Sequence, residues 1–178
     1  MVAIQEPLVE GGRAPSTRRT AVDYVWAAAR ISLGWIFLWA FLDKLFGLGH
    51  ATPSARAWIN GGHPTKGFLA NATGPFKGVF HDMAGNAFWD WLFMLGLAGI
   101  GVALILGIGM RIATISGVIM LVLMWAAELP SANNIFMDDH IIYAIVLIGL
   151  LMVGAGRTLG FGTAWTRTAL VRRFRWLA

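Results

Sequence analysis

The chain has 178 residues, 57% of them hydrophobic and 13% charged, with a formal net charge of +5; an ordinary soluble domain carries about 25% charged residues. A hydrocarbon core of ~30 Å takes roughly 20 apolar residues per helix, so this length holds about four spans with modest loops and no separate soluble catalytic domain. Cysteine is absent, which excludes disulfides, thiolate nucleophiles, iron–sulfur clusters, cysteine-ligated zinc and covalently attached c-type haem, so any redox chemistry borrows its electron carrier.

Residues 1–20, with Glu6, Glu10, Arg13, Arg18 and Arg19 around Gly11-Gly12 and Pro15, contain no apolar run that would serve as a signal-peptide core and read as a disordered tail. A membrane domain is expected over 21–160. Its first span runs from about Val22 to Phe46, is rich in aromatics and contains Arg30. From Gly47 to about Asp90 the chain is polar and broken by glycine and proline, as in Asn60-Gly61-Gly62-His63-Pro64, and reads as a long loop or lid. The second span, about Trp91 to Met110, is joined at once through Arg111 to a third, Ile112 to about Ala127, so the two form a hairpin. Glu128-Leu129-Pro130 closes the third, and a fourth runs from near Asp139 to about Gly156. The remainder, 161–178, places Leu170, Phe174 and Leu177 at helical spacing among arginines and reads as a basic, interfacial amphipathic helix attracted to anionic lipids. The expected fold is therefore all-α: a polytopic bundle of four transmembrane helices with a long outer loop.

Arginine placement gives the orientation, because cytoplasmic flanks are enriched in positive charge. With four spans, Arg13, Arg18, Arg19, Arg111, Arg157, Arg167, Arg172, Arg173 and Arg175 share one side, and only Arg56, Lys66 and Lys77 lie in loops on the other, with Lys44 at its boundary. Both termini are expected in the cytoplasm, and the long loop outside.

Arg30 is the sharpest anomaly, since a charge two turns inside a span costs at least ~2.5 kcal/mol unless it snorkels or is paired. Asp23, Arg30, Phe37 and Lys44 fall on one helical stripe, which makes Asp23 the nearest local partner. Snorkelling to headgroups or a carbonyl and donation to an anion or a quinone oxygen are both open at this stage. At the outer end, Asp43 and Lys44 point about 100° apart on the helix and each needs a partner elsewhere; Asp90, Glu128, Asp138, Asp139 and His140 are the candidates. His140 is the best general acid or base candidate, histidine being the side chain suited to proton exchange near neutral pH, with Tyr143 one turn further in. Asp138 or Asp139 alternatively caps the fourth helix. Consecutive Asp138, Asp139 and His140 cannot converge on one ion from a regular helix, so no metal is expected, and no histidine lies deep enough in a span for haem. Gly99, Ala103 and Gly107, and likewise Ala113 and Gly117, are spaced by four and favour close helix packing.

Arg30-Ile31-Ser32-Leu33-Gly34-Trp35-Ile36-Phe37 leading to Asp43-Lys44-Leu45-Phe46-Gly47, the hairpin Gly107-Ile108-Gly109-Met110-Arg111, and Asp138-Asp139-His140 followed by Gly154-Ala155-Gly156-Arg157-Thr158-Leu159-Gly160 resemble the DoxX/DoxD family of small four-helix membrane proteins. The resemblance covers nearly the whole chain after the tail. It implies a prokaryotic cytoplasmic-membrane subunit of a thiosulfate:quinone oxidoreductase type, or an accessory protein of membrane redox systems. A quinone would then lie among Trp35, Trp39, Phe41 and Trp125, with Arg30 and Tyr143 as cofactor-binding candidates and His140, Asp139, Asp43 and Lys44 as catalytic ones. A partner subunit or a homo-oligomer is expected, and nucleic acid is not. A non-catalytic anchor or assembly partner is the competing function.

Overall fold

The computed structural model describes residues 19–131 and 134–177, so the expected N-terminal tail lies almost entirely outside the described residues. Within them the chain is all-α, in the order α1 (Ala21–Phe46), α2 (Lys66–Ala70), α3 (Lys77–Met83), α4 (Ala87–Leu106), α5 (Met110–Glu128), α6 (Asp139–Met152), α7 (Gly162–Thr166) and α8 (Ala169–Arg173). Three of these, α1, α4 and α5, are long and apolar enough to cross a membrane. At 1.5 Å per residue they measure ~39, ~30 and ~28 Å, whereas the apolar α6, with 14 residues, measures ~21 Å.

Capping side chains set the boundaries. α1 starts in a reciprocal box, in which the Thr20 N–H donates to the Asp23 carboxylate at 2.7 Å and the Asp23 N–H returns a bond to the Thr20 hydroxyl. Asp23 is thereby engaged at the helix start, not with Arg30 as the sequence stripe suggested. α4 begins at Ala87, earlier than expected, because the Asn86 side chain accepts the Phe88 N–H at 2.9 Å and draws Asp90 into the first turn. The connector to α5 is Gly107-Ile108-Gly109, both glycines at positive φ, and Arg111 lies inside the first turn of α5 instead of forming the link.

α1 packs along α4, α4 against α5 and α5 against α6, around a core that includes Leu33, Phe37, Met94, Leu97, Leu104 and Leu147. The closest approaches rest on glycines. A Cβ on Gly34 would meet Leu104 Cβ at 2.9 Å, one on Gly101 would meet the Leu38 backbone nitrogen at 2.8 Å, and one on Gly117 would meet the Leu147 side chain at 2.7 Å. Gly117 fulfils the expected stripe, but Gly99 faces open space, so the α1–α4 contact uses Gly101.

One end of the bundle carries a lid. Residues 47–86 form two short 3-10 turns followed by α2 and α3, and Leu69, Ala72 and Phe80 bury against Ala127 at the end of α5. Trp58 stacks edge-on to Trp91, with ring centroids 4.6 Å apart. Phe76 of this segment and Phe88 at the start of α4 remain exposed. The opposite, hairpin end holds Gly107–Gly109 and the C-terminal segment. That segment is not the single amphipathic helix the sequence suggests: Thr168 caps a new helix, α8, and the Trp165 indole donates to the Leu177 carbonyl at 2.9 Å, folding the tail back on itself. Val171 and Leu177 are buried, while Leu170 and Phe174 are exposed.

Candidate functional site

Beneath the lid lies an apolar cavity of about 340 Å³ between α4, α5 and the lid helices, walled by Phe68, Phe80, Trp89, Phe93, Met120 and Met124, with Thr65, Ser116 and Lys44 among its lining. Among the described residues Lys44 is its one charged lining residue. The Lys44 ammonium sits 5.9 Å from the centre of the Phe93 ring, at the limit of a cation–π contact. Among the described residues no carboxylate lies within 4.0 Å of it. An ammonium without an ion pair, at the edge of an apolar space, attracts an electron-rich oxygen. A volume of this size matches the smaller ligand pockets, which combine apolar walls with few polar groups.

Two buried carboxylates hold the lid over this cavity. Asp90, 2% exposed, accepts the Thr65 N–H at 3.0 Å and the Thr65 hydroxyl at 2.7 Å, and its other oxygen lies 2.7 Å from His63 Nδ1. All three partners come from the stretch His63-Pro64-Thr65, so one side chain of α4 anchors the lid strand that also walls the cavity. Asp43 accepts the backbone N–H groups of His50 and Ala51 at 3.2 and 3.1 Å, which turns the chain sharply out of α1. Asp43, expected among the catalytic residues, therefore spends both oxygens on the turn after α1.

Arg30 is entirely buried at the hairpin end, away from the lid cavity. One terminal nitrogen donates to the carbonyls of Leu104 and Ile105, the latter at 2.9 Å, and the other to those of Thr158 and Leu159 at 3.1 and 2.8 Å. The carbonyls of Leu104 and Ile105 belong to the C-terminal turn of α4, whose partial negative charge favours a cation. The compensation anticipated for this charge is thus supplied by backbone dipoles, and the guanidinium clamps α1, α4 and the segment after α6 together. Its terminal nitrogens are committed to protein, which corrects the expectation that Arg30 donates to a cofactor.

The aromatics expected around a quinone do not line the lid cavity. Trp35 is half exposed and lies against Trp39, whose other neighbour is His50. Phe41 and Tyr143 pack on the main core, and the Trp125 indole donates to the Phe136 carbonyl at 2.6 Å. Of the catalytic and cofactor-binding candidates named from sequence, only Lys44 reaches the cavity. Its aromatic and methionine walls and the Asp90 anchor were missed. The signals available in the sequence were the Met120 and Met124 pair one turn apart and an acidic residue, Asp90, beside Trp89 and Trp91 at the start of an apolar run.

His140 gathers a second group. Its Nδ1 lies 2.9 Å from Asp138, 3.6 Å from Asp139 and 3.7 Å from Glu128. Asp138 and His140 come together, without Asp139, because Asp138 is the extended N-cap of α6 and not part of the helix; its carboxylate also accepts the Ile141 N–H at 3.3 Å. Glu128, Asp138 and His140 present donor atoms within 4.8 Å of one another, a spacing one divalent cation can bridge. Asp139 itself points largely to solvent. No family model, no curated protein and no solved structure matches the chain.

Proposed function

We propose that the protein is an integral membrane subunit of a quinone-linked redox system, of the DoxX-like four-helix kind, and that the lid cavity is its quinone site. The observation that carries this reading is an apolar, aromatic-walled cavity with one unpaired ammonium, Lys44. Lys44 donates to a quinone carbonyl, Phe93 and Trp89 flank the ring, and Met120 and Met124 adapt to its substituents. A bound quinone supplies the two-electron chemistry that the side chains here do not. The residues of this chain bind and orient it, while the lid strand fixed by Asp90 limits water.

In this reading α6 completes a four-span bundle although it stops at Met152, before the left-handed Gly154 and the 3-10 turn Ala155–Arg157, and the bilayer thins locally at modest cost. The hairpin end, which carries Arg19, Arg111, Arg157 and the arginines of the tail, faces the cytoplasm of a prokaryotic cell, and the lid faces outward. Electrons then come from a partner subunit. A non-catalytic anchor is the second reading, favoured by one observation: Arg30, Asp43 and Asp90, all buried, are bound to scaffold groups.

The test is the quinone content of an organic extract from purified protein. Wild type is expected to retain quinone, and Lys44→Met, which keeps the stem's length and apolar packing but removes the donor, is expected to lose most of it at unchanged thermal stability. Equal quinone in both removes Lys44 from the site, and none in wild type leaves the anchor reading.

A further inference from the structure

A second apolar groove lies along the α4–α5 hairpin, next to the lid cavity. It follows the two helices from Leu95 to Ile108, floored by Gly99 and Ala103, whose small side chains leave it open. That stretch measures ~20 Å, more than half of a ~30 Å hydrocarbon core. The groove ends at Gly109 and Trp165, and these same two residues line a separate pocket of about 170 Å³ at the hairpin end. Arg111, Arg157 and Thr166 line that pocket too. Both arginines are exposed, and among the described residues no carboxylate lies within 4.0 Å of either. α5 also starts here from Gly109, which provides no capping side chain, so the positive end of a 19-residue helix opens on the same pocket.

We infer that this groove and pocket together bind one anionic phospholipid, with its phosphate between Arg111 and Arg157 and one acyl chain along Gly99 and Ala103. The charge calls for an anion, and the apolar groove joined to it calls for an anion carrying a chain. Neither half alone selects a phospholipid. The indole of Trp165, at the junction of the two, sits where aromatic side chains meet the headgroup level.

Native mass spectrometry of the purified full chain in detergent tests this, with phosphatidylglycerol and phosphatidylcholine titrated separately. Wild type is expected to bind one phosphatidylglycerol in preference to phosphatidylcholine. The double variant Arg111→Gln/Arg157→Gln is expected to weaken phosphatidylglycerol binding by about thirtyfold, the effect of two arginine–headgroup contacts. Gly99→Leu keeps both charges and fills the groove; since nothing lies within 4 Å of a Cβ there, the fold is expected to persist, checked by its melting temperature, while phosphatidylglycerol binding falls. Unchanged lipid binding in Gly99→Leu, or displacement of phosphatidylglycerol by equimolar inorganic phosphate, means a simple anion site and overturns the inference. The groove meets the lid cavity at Gly96 and Ser116, so displacement of phosphatidylglycerol by an equal amount of long-tailed quinone assigns the groove to the quinone tail and also overturns it.

Discussion

Arg30 shows how a charge buried among apolar helices is accommodated with no carboxylate within 4.0 Å among the described residues. Four carbonyl acceptors from two distant segments surround the guanidinium, and Gly107 and Gly160 make room for it: a Cβ on either would stand 3.0 Å from a terminal nitrogen. Removing the donor leaves those carbonyls unsatisfied, so Arg30→Leu is expected to destabilise the fold by roughly 3 kcal/mol or more, and Arg30→Lys by less, since an ammonium keeps the charge but cannot fork to both segments. Thermal unfolding in detergent reads both, and a leucine variant as stable as wild type contradicts the clamp. The charge's need for compensation was legible in the sequence, but its partners lie 74 to 129 residues away and are main-chain atoms, which no side-chain pattern announces. Asp90 was opaque for a similar reason, because its three partners sit in a segment whose glycines and proline signal only a loop. Asp90→Asn keeps the shape but loses the charge that strengthens these bonds. It is expected to free the lid, seen as trypsin cleavage at Lys66 at least tenfold faster than in wild type; equal cleavage rates would mean that packing alone holds the lid.

At the scale of elements, hydropathy made α1, α4 and α5 readable, because an apolar run near 20 residues has few alternatives to a spanning helix. The short helices α2, α3, α7 and α8 were not readable. A helix of five to seven residues has no intrinsic stability and exists only where tertiary packing holds it, as Phe80 and Leu69 do for the lid and Val171 and Leu177 do for the tail. Small-residue spacing located the right helices and, in α4, the wrong face. Gly101→Val is therefore expected to force α1 and α4 apart and lower stability by about 1–3 kcal/mol, the cost of overpacking, whereas Gly99→Ala leaves it within ~0.5 kcal/mol. Melting temperatures of the two variants, measured side by side, check this directly, and equal losses would contradict the assignment of the contact face.

For the whole molecule, the two ends divide the chemistry: the hairpin end gathers most of the arginines, while the lid end holds the histidines, most of the acids and the cavity. Reporter fusions at Gly109 and after Trp176 are expected on the cytoplasmic side and one within the lid at Gly78 on the other; a shared side for all three contradicts the four-span topology. The composition and the arginine pattern already pointed to this division. The position of the cavity did not follow from them, since it depends on how the lid folds back over α4 and α5. The most direct measurement is photolabelling of purified protein with a short-tailed azidoquinone, followed by peptide mapping. Label concentrated on Trp89, Phe93, Met120 and Met124, and lost in Lys44→Met, is the expected result. Label on Trp35 and Trp39 instead, or spread evenly over the lipid-facing surface and indifferent to Lys44, would contradict a quinone site beneath the lid.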